Sequence, residues 1–115
     1  MKSKIILIKT FLLLILLSVI STAAFAANSE GKEIAFERTK GNCLACHAID
    51  DGALPGNIGP PLIGMKARFP DRAVLKAQIW DATVKNKTSM MPPIGKHQIL
   101  SDQEVEKVID YLYTL

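Results

Sequence analysis

Apolar residues recur at helical spacing in three segments of the chain. The clearest segment opens with a capping box at residues 101–104, after which apolar residues at 105, 108, 109 and 112 form one stripe. A second segment, capped by Asp71, predicts a helix to about Thr83 with apolar residues at 75, 79 and 82. A third, weaker helical pattern covers residues 29–38 and has acidic residues near its start. The stripe of the last helix needs a partner surface, and the first helix is the natural one.

Single residues in these helices carry further predictions. Gly31 lowers the helix propensity of the first segment, so its expected use is a close approach by another helix. Tyr111 and Tyr113 are expected to pack at an edge of the last helix with their hydroxyls near water.

The N-terminus has a different pattern, which is typical of an export signal. Three lysines precede a leucine-rich, largely apolar run over residues 11–20, and a small-residue cleavage sequence ends at Ala26. Cleavage after Ala26 divides the chain into a signal peptide, residues 1–26, and one mature domain, residues 27–115. The alternative is an uncleaved anchor, although the apolar run is short for a membrane span.

The excess of basic charge belongs to this signal. The full chain has 115 residues and a formal net charge of +3, with 14 Lys and Arg against 11 Asp and Glu. Lys2, Lys4 and Lys9 lie before the cleavage point, so 11 basic and 11 acidic residues remain in the mature domain. A formally neutral domain gives no support for binding to nucleic acid or to a membrane surface.

The candidate chemistry centres on Cys43, Cys46 and His47, in the stretch Cys-Leu-Ala-Cys-His. This spacing is typical of a c-type haem attachment site. Side chains three residues apart are neighbours on a helical turn, so both thiols can meet the vinyl groups of one porphyrin while His47 reaches the iron. Two other interpretations stay open. A redox dithiol needs a preceding strand, and a structural zinc site needs two further ligands, for which the chain offers only His97 as a second imidazole.

A long loop rich in Gly and Pro follows the motif, over residues 48–64. We expect Pro60 and Pro61 to stiffen a wall beside the histidine, while Leu62 and Ile63 contact the porphyrin. A metal-bound histidine usually donates its second ring N–H to an oxygen acceptor, and a proline carbonyl of this loop is a candidate. The alternative is a set of turns with no such role.

A second axial ligand is expected from the loop before Pro92. Met91 is the favoured candidate because the proline holds its backbone extended, and Met90 and His97 are the alternatives. With histidine and methionine on the iron, no position remains for substrate, so electron transfer is the expected role. A thioether ligand favours ferrous iron and raises the reduction potential.

The order of these parts resembles that of the class I cytochromes c over residues 29–115. Residues 40–47, 59–62 and 91–101 are similar to the SoxX family, the monohaem subunits of SoxAX thiosulfate-oxidising complexes. One departure is Lys87, where that family often has a proline after the asparagine.

The resemblance implies an all-α class I cytochrome c fold, with the N- and C-terminal helices packed together around one covalently bound haem c. The cysteines of the motif are its anchors, and His47 and Met91 are the implied iron ligands. Pro60 and Leu62 complete the expected cofactor-binding set.

The resemblance also implies partners and a location. It suggests a periplasmic heterodimer with a SoxA-like cytochrome, which oxidatively couples thiosulfate to a cysteine of a SoxYZ-type sulfur carrier and passes electrons to a downstream acceptor. Because both cysteines are consumed by haem attachment, the sulfur-handling residue is expected on another subunit. The chain would then be a non-catalytic, electron-accepting subunit of an L-cysteine S-thiosulfotransferase complex, with no membrane contact after signal cleavage. The alternative is a freestanding electron carrier of a respiratory chain.

Overall fold

The computed structural model describes Ile8 and residues 28–115, and the regular structure of these residues is helical, with no strand. The predicted signal peptide lies outside the described residues, apart from Ile8. Four helices follow in chain order: α1 over residues 28–36, α2 over Met65–Arg68, α3 over Arg72–Trp80 and α4 over Asp102–Leu112. Single 3-10 turns occupy Cys43–Ala45 and Ala82–Val84. Within the described residues, no helix is both long enough and apolar enough to cross a membrane.

The capping box and the close contact between α1 and α4 are both confirmed. The Ser101 hydroxyl accepts from the Glu104 backbone N–H at 3.3 Å, and the Glu104 carboxylate accepts from the Ser101 backbone N–H at 2.9 Å. The two helices meet at Gly31, where an added Cβ would overlap the Lys107 carbonyl and lie 2.9 Å from the Tyr111 Cβ. Only a glycine allows the helices to approach this closely.

The core lies between α1, α3 and α4, and segments of the loops complete it. It contains the predicted stripe of α4 together with residues from every other part of the described domain: Ile34, Ala35, Ile49, Met65, Leu75, Ile79, Ile94, Leu100, Val105, Val108, Ile109, Tyr111 and Leu112. Ion pairs join α3 to α4 at the surface, as Arg72 binds Asp110 at 2.7 Å and Lys76 binds Glu106 at 2.9 Å. The three longer helices therefore form one packed unit.

Two predicted helix ends were wrong. The helix α3 ends at Trp80 instead of near Thr83, because Asp81 has an extended backbone (φ −154°, ψ 91°). The Asp81 carboxylate accepts from the Thr83 backbone N–H at 3.0 Å and starts a new 3-10 turn. The helix α1 ends at residue 36, two residues early, where the Gly41 backbone N–H donates to the Ile34 carbonyl at 3.1 Å.

The expectation that both tyrosine hydroxyls lie near water was wrong for Tyr111. The Tyr113 hydroxyl donates to the Phe69 carbonyl at 2.7 Å. Tyr111 is only 4% exposed and packs edge-to-face against Phe36, with ring centroids 6.1 Å apart. Its hydroxyl is buried and has no hydrogen-bond partner among the described residues. The close crossing at Gly31 encloses the Tyr111 side chain, which an open edge would have left in contact with water.

Candidate haem site

The Cys-Leu-Ala-Cys-His motif forms a tight turn that places its two cysteines side by side. Asn42 has a left-handed backbone (φ 47°), and the 3-10 turn Cys43–Ala45 follows directly. The Cys43 carbonyl accepts from the backbone N–H of Cys46 at 3.2 Å and of His47 at 2.9 Å. Side chains three residues apart nearly eclipse in a 3-10 helix, so both thiols lie on one side of the turn. Neither cysteine is in a disulfide.

The electrostatics of the motif suit anchoring better than thiol redox chemistry. Burial raises the pKa of the Cys43 thiol to about 11, so the thiol is protonated at neutral pH. A reactive dithiol depends on a cysteine whose pKa is lowered by nearby positive charge or a helix N-terminus. The described residues also contain no strand before the motif, which the dithiol interpretation needs. Within the same residues, no three His, Cys, Asp or Glu side chains form a group that could hold a metal ion.

The imidazole of His47 is fixed by the loop that follows it. The His47 Nδ1 lies 2.7 Å from the Pro60 carbonyl oxygen. A carbonyl only accepts, so Nδ1 carries the proton and Nε2 is left with a free lone pair. The backbone at Gly59 lies against the ring, since an added Cβ there would be 2.8 Å from Nε2 and would overlap Cε1. Gly59 was not assigned to the site from the sequence. Its position directly before Pro60 was the signal that could have indicated this contact.

Backbone hydrogen bonds hold the 48–64 loop against the motif. The N–H of Gly56 donates to the Leu44 carbonyl at 2.7 Å, and the N–H of Gly59 donates to the Cys46 carbonyl at 2.8 Å. Further along, the Leu62 N–H donates to the Ala48 carbonyl at 2.9 Å. The loop has no helix or strand up to residue 64, and these bonds give it a defined path beside the histidine.

The loop side chains divide into those that face the core and those that do not. Leu62 is partly buried and packs against the core, whereas the neighbouring Ile63 is 65% exposed. Arg68 donates to the Pro61 carbonyl at 2.9 Å and ties the end of the loop to α2. Of the two residues expected to contact a porphyrin, the structure therefore places only Leu62 on the core.

The three candidates for the second axial ligand differ in their surroundings. Met91 packs against the same core as Cys43 and Leu62, and its backbone N–H donates to the Ser89 hydroxyl at 3.2 Å. Met90 is 76% exposed, and His97 also lies at the surface. Burial favours Met91, because a thioether that serves as a ligand within the domain must point away from solvent.

The residues present fit a covalently bound haem. The donor set consists of two adjacent thiols, one imidazole with a free Nε2 and one partly buried thioether, which together match the attachment and axial ligation of haem c. Five of the apolar side chains that pack on the core yet stay partly exposed are candidates for contact with a porphyrin: Cys43, Leu44, Leu62, Phe69 and Met91. A separate surface groove of about 450 Å³ beside Trp80 and Val84 is lined by none of the predicted site residues.

Comparisons with known proteins identify cytochromes as relatives of this chain. A sequence model of the family described as "Cytochrome C oxidase, cbb3-type, subunit III" matches residues 26–112. The crystal structure of SoxXA from P. pantotrophus is similar with a TM-score of 0.65 and 29% sequence identity, over 75% of this chain and 79% of that chain. An uncharacterized lipoprotein of Aquifex aeolicus (strain VF5) is 33% identical over 75 residues, 64% of this chain and 36% of its own length. The chain thus spans about a third of the length of this curated relative.

Proposed function

The chain belongs to the cytochrome family described as cytochrome c oxidase, cbb3-type, subunit III, and is a c-type cytochrome related to SoxX. From this premise we propose that it is the electron-accepting haem subunit of a sulfur-oxidising complex. Membership of a cytochrome c family implies covalent haem c. In this proposal Cys43 and Cys46 would hold a single haem c through thioether bonds, and His47 and Met91 would be its iron ligands. The fixed ring of His47, with Nε2 free, is the observation that carries the proposed ligation.

The side chains have separate roles in this proposal. The haem, when bound, supplies a one-electron couple between ferric and ferrous iron. His47 provides a neutral nitrogen ligand whose orientation the Pro60 carbonyl fixes. The thioether of Met91 is a soft donor that favours the ferrous state, and Leu62 covers the apolar ring. With His47 and Met91 both bound to the iron, the chain would carry electrons and leave substrate chemistry to a partner.

The proposed partner is needed because the chain has no free thiol for sulfur chemistry. Joining thiosulfate to a cysteine thiol forms one S–S bond and releases one proton and two electrons. The only two cysteines, Cys43 and Cys46, are anchors in this proposal, so the sulfur-handling residue lies on a SoxA-like subunit and the acceptor thiol on a SoxYZ-type carrier. In this proposal the chain would accept one electron at a time, so a downstream acceptor is needed for the two electrons that the coupling releases. The similarity to the SoxXA structure supports such a partner.

The surface around the site supports docking to another protein. Leu54 is 95% exposed on the loop that binds the motif, and its backbone is left-handed (φ 52°), which a leucine rarely adopts. Ile58 and Ile63 are exposed on the same loop, and Met90 is exposed on the loop before Pro92. Residues 52–70 and 82–101 carry five Lys or Arg and no Asp or Glu. Exposed apolar side chains on segments that carry basic and no acidic residues suit a partner surface that is apolar and acidic.

The proposed location outside the cytoplasm follows from the N-terminal sequence. We place the signal peptide at residues 1–26 and the mature domain at residues 27–115, with cleavage after Ala26. Export would bring the two thiols to a compartment where c-type haem is attached, and periplasm is the proposed destination. The terminus is checked by mass spectrometry of the exported protein, which should give a chain that starts at Ala27.

Native purification tests the proposed complex. The chain should be recovered from the periplasmic fraction together with a larger cytochrome, retain haem after denaturation, and become reduced when thiosulfate and a carrier with a free cysteine are added. The Leu54→Asp variant should lose the larger cytochrome, while Val74→Asp, at an exposed position on α3, should keep it. Recovery of a monomer that only respiratory donors reduce would instead establish the freestanding carrier.

Substitution of the two methionines tests the axial ligand. Met91→Ala should abolish the weak Fe–S absorption at the red end of the oxidised spectrum, because it removes the partly buried thioether. Met90→Ala removes an exposed thioether from the adjacent position and should leave that absorption unchanged. If the absorption survived in Met91→Ala and disappeared in Met90→Ala, Met90 would be the ligand.

A further inference from the structure

One carboxylate binds both ends of the loop that carries Met91. Asp81 follows α3, and its side chain is only 9% exposed. Its Oδ1 accepts from the backbone N–H of Thr83 at 3.0 Å and also from the Thr83 hydroxyl. Its Oδ2 accepts from the Lys96 ammonium at 2.8 Å. Thr83 starts the loop and Lys96 ends it, so Asp81 closes the loop at its base.

The end of the loop that contains Lys96 has two more attachments to α3. The Lys96 backbone N–H donates to the Trp80 carbonyl at 3.2 Å. The preceding Gly95 lies flat on the Trp80 indole, because an added Cβ would be 2.6 Å from Cζ3 and would overlap other ring atoms. Ile94 is buried in the core. This end of the loop is therefore held by charge, by backbone hydrogen bonding and by apolar packing.

Rigid chain connects both loop ends to Met91. On one side only Pro92 and Pro93 separate Met91 from the buried Ile94, and each proline ring fixes φ near −65°. On the other side the loop makes successive local bonds. The Asn86 backbone N–H donates to the Ala82 carbonyl at 3.2 Å, and the Ser89 N–H donates to the Asn86 carbonyl at 3.0 Å. The Met91 N–H then donates to the Ser89 hydroxyl. We therefore expect a change at the base of the loop to shift Met91.

From this geometry we infer that Asp81 and Lys96 are positioning residues for Met91, and that their ion pair keeps the methionine loop closed. The inference rests on the proposed function, in which Met91 is an iron ligand. Lys96 itself is exposed, so the attraction alone contributes little. Removing the ammonium, however, leaves a buried carboxylate without its charged partner, which is far more costly than losing a surface pair. The Lys96 ammonium also holds the pKa of Asp81 down to about 2, so the carboxylate stays charged at neutral pH.

Binding of imidazole to the oxidised, haem-loaded protein measures how often the loop opens. External imidazole can occupy the second axial position only when Met91 leaves it, and its binding removes the Fe–S absorption. Lys96→Met should raise the apparent affinity for imidazole about tenfold, the size expected when a buried charged group loses a hydrogen-bond partner. Asp81→Asn should act in the same direction. The double variant should add nothing to the larger single effect, since the two side chains form one interaction.

The matched control is Lys76→Met, which removes a lysine of α3 that pairs with Asp102 at 2.6 Å and lies outside the methionine loop. It should leave the imidazole affinity unchanged, while Lys96→Arg, which keeps the charge, should also bind as the parent does. Parental affinity in Lys96→Met, or an equal rise in Lys76→Met, would overturn the positioning role. Met91→Ala separates the two proposals. If it neither removes the Fe–S absorption nor raises imidazole affinity, the ligand assignment itself fails and the positioning role fails with it.

Discussion

The contact between α1 and α4 can be tested at Gly31 with one methyl group. In Gly31→Ala the new Cβ would overlap the Lys107 carbonyl oxygen and lie 2.9 Å from the Tyr111 Cβ. Both atoms belong to the body of α4 and cannot rotate away as the end of a flexible side chain could. The two helices must therefore separate, and Ile34 and Ala35 of α1 lose part of their packing in the core.

Two effects of opposite sign set the size of this change. Replacing a glycine by alanine inside a helix favours the folded state by about 1 kcal/mol. Overpacking of a close contact costs about 1–3 kcal/mol and more where backbone must move, as it must here. The second effect is the larger, and we expect a net loss of about 2 kcal/mol in the free energy of unfolding. For a domain of this size that corresponds to a fall of about 10 °C in Tm.

The assay is thermal and denaturant unfolding of the mature, haem-loaded protein followed by circular dichroism. Glu33→Ala is the control, because Glu33 is exposed on the same helix and should change the free energy of unfolding by less than about 0.5 kcal/mol. A Gly31→Ala protein as stable as the parent, or more stable, would show that α1 and α4 are not in contact at this position.

Three further predictions concern stability. Tyr113→Phe should lower the free energy of unfolding by about 1 kcal/mol, because the Phe69 carbonyl loses its donor. Tyr111→Phe removes a buried hydroxyl with no partner among the described residues and should not lower it. Chemical denaturation compares the two variants, and equal losses would contradict the difference between the two hydroxyls. The pKa of Glu104 is lowered from 4.5 to about 2, chiefly by the Lys40 ammonium and by the Ser101 N–H and hydroxyl. Its contribution is therefore complete above about pH 4.5 and is lost as the pH falls toward 2, and Glu104→Gln should flatten the measured pH dependence over that range. Leu54→Asn, which suits a left-handed backbone, should raise the free energy of unfolding by about 1 kcal/mol in the same assay, and a decrease would argue against the left-handed conformation.

Local signals were sufficient for α4 but not for the shorter elements. The capping box and the apolar stripe of α4 all lie within a dozen residues, so the sequence predicts both its existence and its start. The helix α2 has no such signal, since it begins after Gly64 (φ 58°) with no side-chain cap. It is held in part by a hydrogen bond from the Met65 N–H to the Leu115 carbonyl at 3.3 Å, between residues fifty positions apart in the chain.

The same limit explains what could be predicted at the site. The spacing of the cysteines and His47 is local, and the turn that joins them follows from it. The sequence also predicts a proline carbonyl as the partner of His47, but the choice of Pro60 depends on the close approach of Gly59 to the imidazole. Asp81, where α3 ends, is also bound by Lys96 from fifteen residues further along. Contacts of this kind are decided by tertiary packing and leave no periodic pattern.

The acceptor for His47 is a peptide carbonyl, and this has a consequence for protons. A carboxylate in that position would gain and lose a proton, and the basicity of the imidazole would change with it. The Pro60 carbonyl does not titrate in water, so its hydrogen bond to Nδ1 is the same across the physiological pH range. In the proposed ligation, electron transfer would therefore not be coupled to proton uptake at the group that accepts the His47 hydrogen bond.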